Sequence, residues 1–241
     1  MALRAPLNPK SYCLPQYLSF FSALSIENNM PSSTKSFIVF DDFEIKLFSI
    51  FLTFWLLGYY YHPMKLSRKL LSNLHSGLVC ILALLSLQEV IPESIPLCYS
   101  SSFFVVDIID EALINRSVMW TIHGVISLGL NLGTAMHPHH IHLRSVSKGY
   151  LVEGSTYPFN YWKESKSFVS FVVFFTSFTL CRMIWVPYFV YDTYVNKLHG
   201  ETDFLLYLTI MFMILNGVWY VKMCQMLVNY RLPKEMTTHA E

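Results

Sequence analysis

Between Lys46 and Tyr230 the chain returns again and again to apolar runs of helix length, and polar or charged side chains sit inside those runs. The densest example is Phe103 to Ser127, FFVVDIIDEALINRSVMWTIHGVIS, which reads as two apolar helices joined by a tight charged turn. Asp107, Asp110 and Glu111 fall three and four residues apart, on one face of the first helix. His123 lies on the second, with Ser127 one turn below it. In hydrocarbon such groups persist where they face a protein interior or a wet cavity, pair with one another, or perform a function. Composition agrees: 54% of residues are hydrophobic and only 14% charged, against roughly 25% charged in an average soluble domain. The fold class expected is all-α, a polytopic helical membrane protein in one domain. A formal net charge of +1 argues against nucleic acid as a partner. The five scattered cysteines show no CxxC or metal spacing and read as small buried hydrophobes.

Residues 1–44 form an N-terminal segment expected at the interface. Its short apolar run, Leu18 to Leu24, cannot span a bilayer. Spans are then expected at about Lys46–Tyr61, Leu70–Ile91, Cys98–Ile114, Val118–Met136, Ile141–Trp162, Phe168–Tyr191 and Phe204–Tyr230. Gly129 and Gly133 make a GxxxG on the fourth, which lets another helix approach closely. Pro187 is a kink site on the sixth. The fifth stretch is the weakest, since it holds Arg144, Lys148, Glu153 and Pro158. Loop charge decides its status. If it crosses, Lys65, Arg68, Lys69, Arg116, Lys163, Lys166, Arg231 and Lys234 collect on one side, opposite Arg144, Lys148 and Lys197. If it does not cross, the bias disappears. About seven spans are therefore expected, with the tail 231–241 on the positive side.

In that arrangement His75 and His123 lie about six residues into their helices and Asp107 about eight, so all three sit at roughly 9–12 Å depth on the same side. Glu153, Arg182 and Asn216 fall near the middle of their spans. Six helices each supply one polar group, a pattern compatible with a central polar cavity. A histidine in a dry cavity can act as general base or acyl-accepting nucleophile, with a carboxylate orienting the ring. His123 is the candidate for the first role and Asp107 for the second, with His75 in support. Arg182 is expected to pair with Asp107 or Glu153. The run His137, His139, His140 and His142 invites a metal reading, but Pro138 and the lack of a nearby carboxylate or cysteine oppose it, so no metal is expected.

Several short motifs, in order, resemble those of the TLC-domain family, the superfamily of ceramide synthases and the translocating-chain-associating membrane protein. They are SNLHS at Ser72 to Ser76, FFVVDIID at Phe103 to Asp110, WTIHGVISL at Trp120 to Leu128, LVEGSTYPFNYW at Leu151 to Trp162, FTLCRMIWVPYFV at Phe178 to Val190 and LNGVWYVKM at Leu215 to Met223. The fifth-span motif is similar to that of the smaller, non-synthase members. The resemblance covers about Lys65 to Tyr230. It implies a TLC domain over 65–230, a barrel of six helices around a lipid-accessible cavity, and a first helix (45–64) outside it. It also implies a partner that is a membrane lipid, with further protein partners in the membrane. The expected location is the endoplasmic reticulum, with a mitochondrial membrane as the alternative. The synthases use a pair of histidines. Only His123 maps here, because the next residue is Gly124, and Glu153, Gly154 and Ser155 stand where the synthases' acidic element would be. Ceramide synthesis is therefore not expected. No cofactor is expected, and acyl-CoA enters only through the resemblance. Asp110, Ser127, Glu153, Ser155, Asn160, Arg182 and Asn216 are the expected cavity or lipid-binding residues. The alternative function is a non-catalytic structural subunit of a larger membrane complex.

Overall fold

A helix buried in a membrane protein turns its polar and small residues inward and its apolar residues outward, because the surrounding hydrocarbon is as apolar as any core. The computed structural model of the chain shows this inversion on helix after helix. It describes residues 42–61, 66–197 and 203–231. Most of the N-terminal segment, Lys65 and its loop, and the tail beyond Arg231 lie outside the described residues. Among the described residues there is no strand.

The elements are α1 (Asp42–Tyr60), α2 (Arg68–Leu87), α3 (Ser94–Ile109) running into a π-helical turn (Asp110–Asn115), α4 (Val118–Ala135), short α5 (Pro138–His142), α6 (Ser145–Tyr150), a 3-10 turn (Leu151–Ser155), α7 (Thr156–Ser165), α8 (Phe168–Phe178), a second π-helical turn (Thr179–Ile184), α9 (Trp185–Val195) and α10 (Phe204–Arg231). Four helical rods of the described residues, 42–60, 68–87, 168–195 and 204–228, are long and apolar enough to cross a membrane. The protein is an all-α polytopic membrane protein. On α2, Leu71, His75, Val79, Ala83 and Ser86 are buried, while Leu70, Leu78, Ile81 and Leu84 face outward. On α4, His123, Ser127, Asn131 and Thr134 turn inward and Ile122, Val125 and Leu132 outward.

The helices close a ring. α2 packs beside α3, α3 beside α4, α4 beside α10, and α10 beside α9; the stretch from α6 to α7 then returns the ring to α2. The GxxxG pair makes one of these seams. A Cβ on Gly129 would lie 3.2 Å from Leu208 Cδ1, and one on Gly133 3.4 Å from Leu205 Cδ1, so the two glycines admit α10. Gly124 performs the same task at the seam with α3, where a Cβ would meet Ile108 Cγ1 at 2.7 Å.

The weak fifth stretch, although broken by its 3-10 turn, runs antiparallel to α2 along its whole length. At one end the Glu93 carboxylate accepts from both Ser86 Oγ and Ser147 Oγ at 2.5 Å. Midway, Cys80 Sγ approaches the Tyr150 carbonyl at 3.6 Å. At the other end Asn160 donates to Asn73 at 2.7 Å, and Lys69 pairs with Glu164. Twenty residues of α2 measure about 30 Å, the thickness of a hydrocarbon core. The sixth span changes to a π-helical turn at Thr179–Ile184, ahead of Pro187 in the first turn of α9. α1 stands outside the ring, against α3, and buries only Trp55, Gly58 and Tyr59.

Single cysteines at Arg116 and Ser165 in a cysteine-free background should react with an impermeant maleimide from the same side of sealed vesicles, and one at His137 from the other. Reaction of Arg116→Cys and Ser165→Cys from opposite sides would remove the fifth crossing. Gly124→Ala should destabilise the fold by about 1–3 kcal/mol through overpacking. Gly77→Ala, where a Cβ meets nothing within 4 Å, should be neutral or stabilising by up to about 1 kcal/mol; thermal unfolding in detergent compares the two.

Candidate functional site

The ring lines a cavity of about 830 Å³ that opens to the surface. Its rim carries Arg68, Lys69, Glu111, Lys163, Glu164 and Lys222, and its interior carries His75, Asp107, His123, Glu153 and Arg182. On the α2 and α3 side Ser72, His75 and Asp107 stand beside Phe103 and Phe104. α8 and the inner part of α10 contribute aromatic and thioether side chains, Phe174, Phe178, Trp219, Met223 and Met226, and α7 mixes Phe159 and Trp162 with Thr156 and Asn160.

His75 is buried. Its Nε2 lies 3.1 Å from Ser100 Oγ, and its ring stacks on Phe103 at 3.8 Å with 8° between planes. Trp55 of α1 meets it edge-on. His123 is 7% exposed, and its Nδ1 has no hydrogen-bond partner among the described residues. Aromatic rings surround it: Trp120, Phe104, Phe212 and Trp219 all lie within 6.3 Å. Both imidazoles contact Phe104, at 5.4 and 6.3 Å between ring centroids. Leaving a buried imidazole nitrogen unpaired costs about 1–3 kcal/mol, which a substrate proton or hydroxyl would recover.

Asp107 lines the same cavity, but no hydrogen bond joins it to either histidine. It accepts instead from Tyr59 Oη at 3.0 Å. Asp110, one of the expected cavity residues, is turned into an ion pair: Arg68 Nε lies 2.7 Å from Oδ2 and Nη2 3.1 Å from Oδ1. Arg68 also donates to Asn115, and Asn115 to Glu111 at 2.7 Å. These contacts clasp the start of α2 to the end of α3.

Of the two partners expected for Arg182, the structure selects Glu153, at 3.7 Å from Nη2 to Oε1. Arg182 Nε donates to Ser155 Oγ at 2.8 Å and Nη1 to Asn216 Oδ1 at 3.1 Å, while Thr156 donates to Glu153 at 2.7 Å. Asn216 serves the cavity from behind, by holding Arg182. Asn160 lines the cavity and ties α7 to Ser72 and Asn73. Ser127 lies elsewhere, in a second pocket of about 40 Å³ that it shares with Asn131, Thr134, Tyr150 and Glu153. The histidine run sits on and beside α5, where His139 approaches the Asn196 carbonyl and His140 the Ser145 hydroxyl. Among the described residues no group of three or more His, Cys, Asp or Glu could hold a metal.

A family model described as the TLC domain matches residues 65–225, more than half of the chain. The chain belongs to the TLC-domain family. No curated protein and no solved structure matches it. In this TLC-domain protein the family match begins after α1, yet Tyr59 of α1 lines the cavity. Tyr59, Tyr60 and Tyr61 stand together at the end of the first span, a position where tyrosines also mark a membrane interface. The one signal that separated Tyr59 from its neighbours was its i, i+4 spacing from Trp55, the helical interval that puts both on one face.

Breaking the interior ion pair from one side should be severe. Arg182→Met or Glu153→Gln alone should destabilise by about 3–5 kcal/mol, and the double substitution should recover most of that loss, as unfolding midpoints in detergent would show.

Proposed function

We propose that this TLC-domain protein handles an acyl-bearing membrane lipid in the open cavity, with His123 as the reactive group. The observation that carries this reading is the unpaired Nδ1 of His123 inside a cavity lined by both polar and aromatic side chains. An amphipathic lipid matches such a lining: chain against Phe174, Phe178, Met223 and Met226, headgroup toward His123 and Asp107. His123 can accept a proton from a lipid hydroxyl or amine, or take an acyl group at its nitrogen. His75, which also contacts Phe104, and Asp107, held by Tyr59, are further polar groups of the cavity. Asn160 and Ser155 border the bound lipid. An acyl-CoA co-substrate would place its phosphates among Arg68, Lys69, Lys163 and Lys222. Family resemblance supports the endoplasmic reticulum as the membrane.

A second reading, a non-catalytic membrane subunit, is favoured by one observation. Gly124 is packed against Ile108 and leaves no room for the second histidine of the synthase pair. The test separates the two. Lipid profiles are compared between cells lacking the protein and cells rescued at matched level by wild type or His123→Ala. Wild type should restore one lipid class and His123→Ala should leave it at least tenfold short. Equal rescue by both, or no lipid change on loss, would remove His123 as a reactive group and leave the subunit reading.

A further inference from the structure

The helix outside the ring contributes to the cavity. α1 lies against α3, with most of its surface facing outward; Trp55, Gly58 and Tyr59 are its buried residues. Its contact stripe is aromatic: Trp55 packs on Tyr99 and Phe103, with its Nε1 3.4 Å from the Tyr99 carbonyl. The last turn of α1 is pinned to the start of α2. Leu66 N donates to the Gly58 carbonyl at 2.9 Å, and Gly58 sits where a Cβ would press on Leu71 at 2.9 Å. That close approach sets the next residue, Tyr59, over the α2–α3 side of the cavity. Tyr59 is 5% exposed, lines the cavity, and donates to Asp107 Oδ1 at 3.0 Å. Its hydroxyl is therefore a partner for a carboxylate that faces the cavity and that neither histidine engages.

We propose that α1, outside the family domain, is a working wall of the lipid site: Tyr59 closes the cavity between α2 and α3 and positions Asp107 through its hydroxyl. This rests on the proposed lipid function and extends it to a residue that acts through another. A hydroxyl fixed on Oδ1 leaves Oδ2 as the atom presented to a headgroup, and sets the direction from which a donor on the lipid can approach. α1 then selects among lipids by what hydrogen-bonds to Asp107, while the α8 and α10 wall accepts the chain.

The probe is a palmitate bearing a diazirine and an alkyne, fed to cells expressing the full chain. After irradiation, crosslink per molecule of purified protein is read by click labelling, and the sites by peptide mapping. The variants are Tyr59→Phe, Asp107→Asn, the double substitution, and Tyr61→Phe, whose ring is 53% exposed. Tyr59→Phe keeps the ring that packs on Phe103, and an unchanged unfolding midpoint confirms the fold. Wild type and Tyr61→Phe should crosslink within the α8 or α10 wall. Tyr59→Phe should lose about tenfold, the scale of one hydrogen bond to a charged group. In the Asp107→Asn background the same change should cost less than about twofold, since coupled residues are non-additive. Wild-type crosslinking by Tyr59→Phe would make α1 a mere anchor, and full additivity would separate Tyr59 from Asp107. A wild type with no cavity crosslink would overturn the lipid reading itself, and this inference with it.

Discussion

Arg182 sets the terms for this protein. A guanidinium near the middle of a span has no water to hydrate it, and removing a charge from water costs several kcal/mol even after relaxation. It is kept by what converges on it: Glu153 and Ser155 from the 3-10 turn, Thr156 from the start of α7, Asn216 from α10, and the faces of Phe178 and Trp219 within 6 Å. Three separate parts of the chain must meet at one depth for this to hold. The break in the fifth stretch follows from that need. A fully regular α-helix would not place Glu153, Ser155 and Thr156 around one guanidinium, and the 3-10 turn does. The π-helical turn that carries Arg182 is the matching irregularity on the other side.

Around that knot the ring cannot collapse into a solid bundle. Arg182 and Glu153 hold α7, the sixth span and α10 at fixed separations, and the Glu93 network ties α2, α3 and α6 at the far end. Between them, aromatic residues line the interior without filling it, which leaves the cavity. His75 and Asp107 are held in place there by hydrogen bonds, and His123 is held only by rings. That difference in restraint is what marks His123. The imidazole of His123 has room, burial and an unused nitrogen.

Much of this was legible in the chain. The limits of the other six expected spans fell within a few residues of the helices, because apolar runs bounded by proline, charge and aromatic residues have little freedom in a bilayer. The fifth stretch, expected as one span at Ile141–Trp162, is instead a chain of short helices joined by a 3-10 turn. Gly129 and Gly133 announced a close helix contact, and the partner proved to be α10. The pairing of Arg182 narrowed to two acids. Other features had no local signature. Asp107 was assigned to orient a histidine, since a carboxylate and an imidazole at equal depth invite that pairing, and the structure gives it Tyr59. Ser127 shared a helix face with His123 but opens on a different pocket, because a turn of helix carries it past Phe104 and Phe212.

The sequence by itself determined that the chain is an all-α membrane protein, which residues face inward, and which groups must find partners there. Those follow from the cost of polar atoms in hydrocarbon, a penalty that every residue carries wherever it lies along the chain. Only the tertiary structure decided who the partners are, that the interior is hollow, and that a helix outside the family domain reaches into it. Helix rotation and depth settle those matters, and a shift of one residue turns a side chain by 100°. Composition and spacing do not resolve that angle; the packing of glycines, aromatic rings and buried charges does.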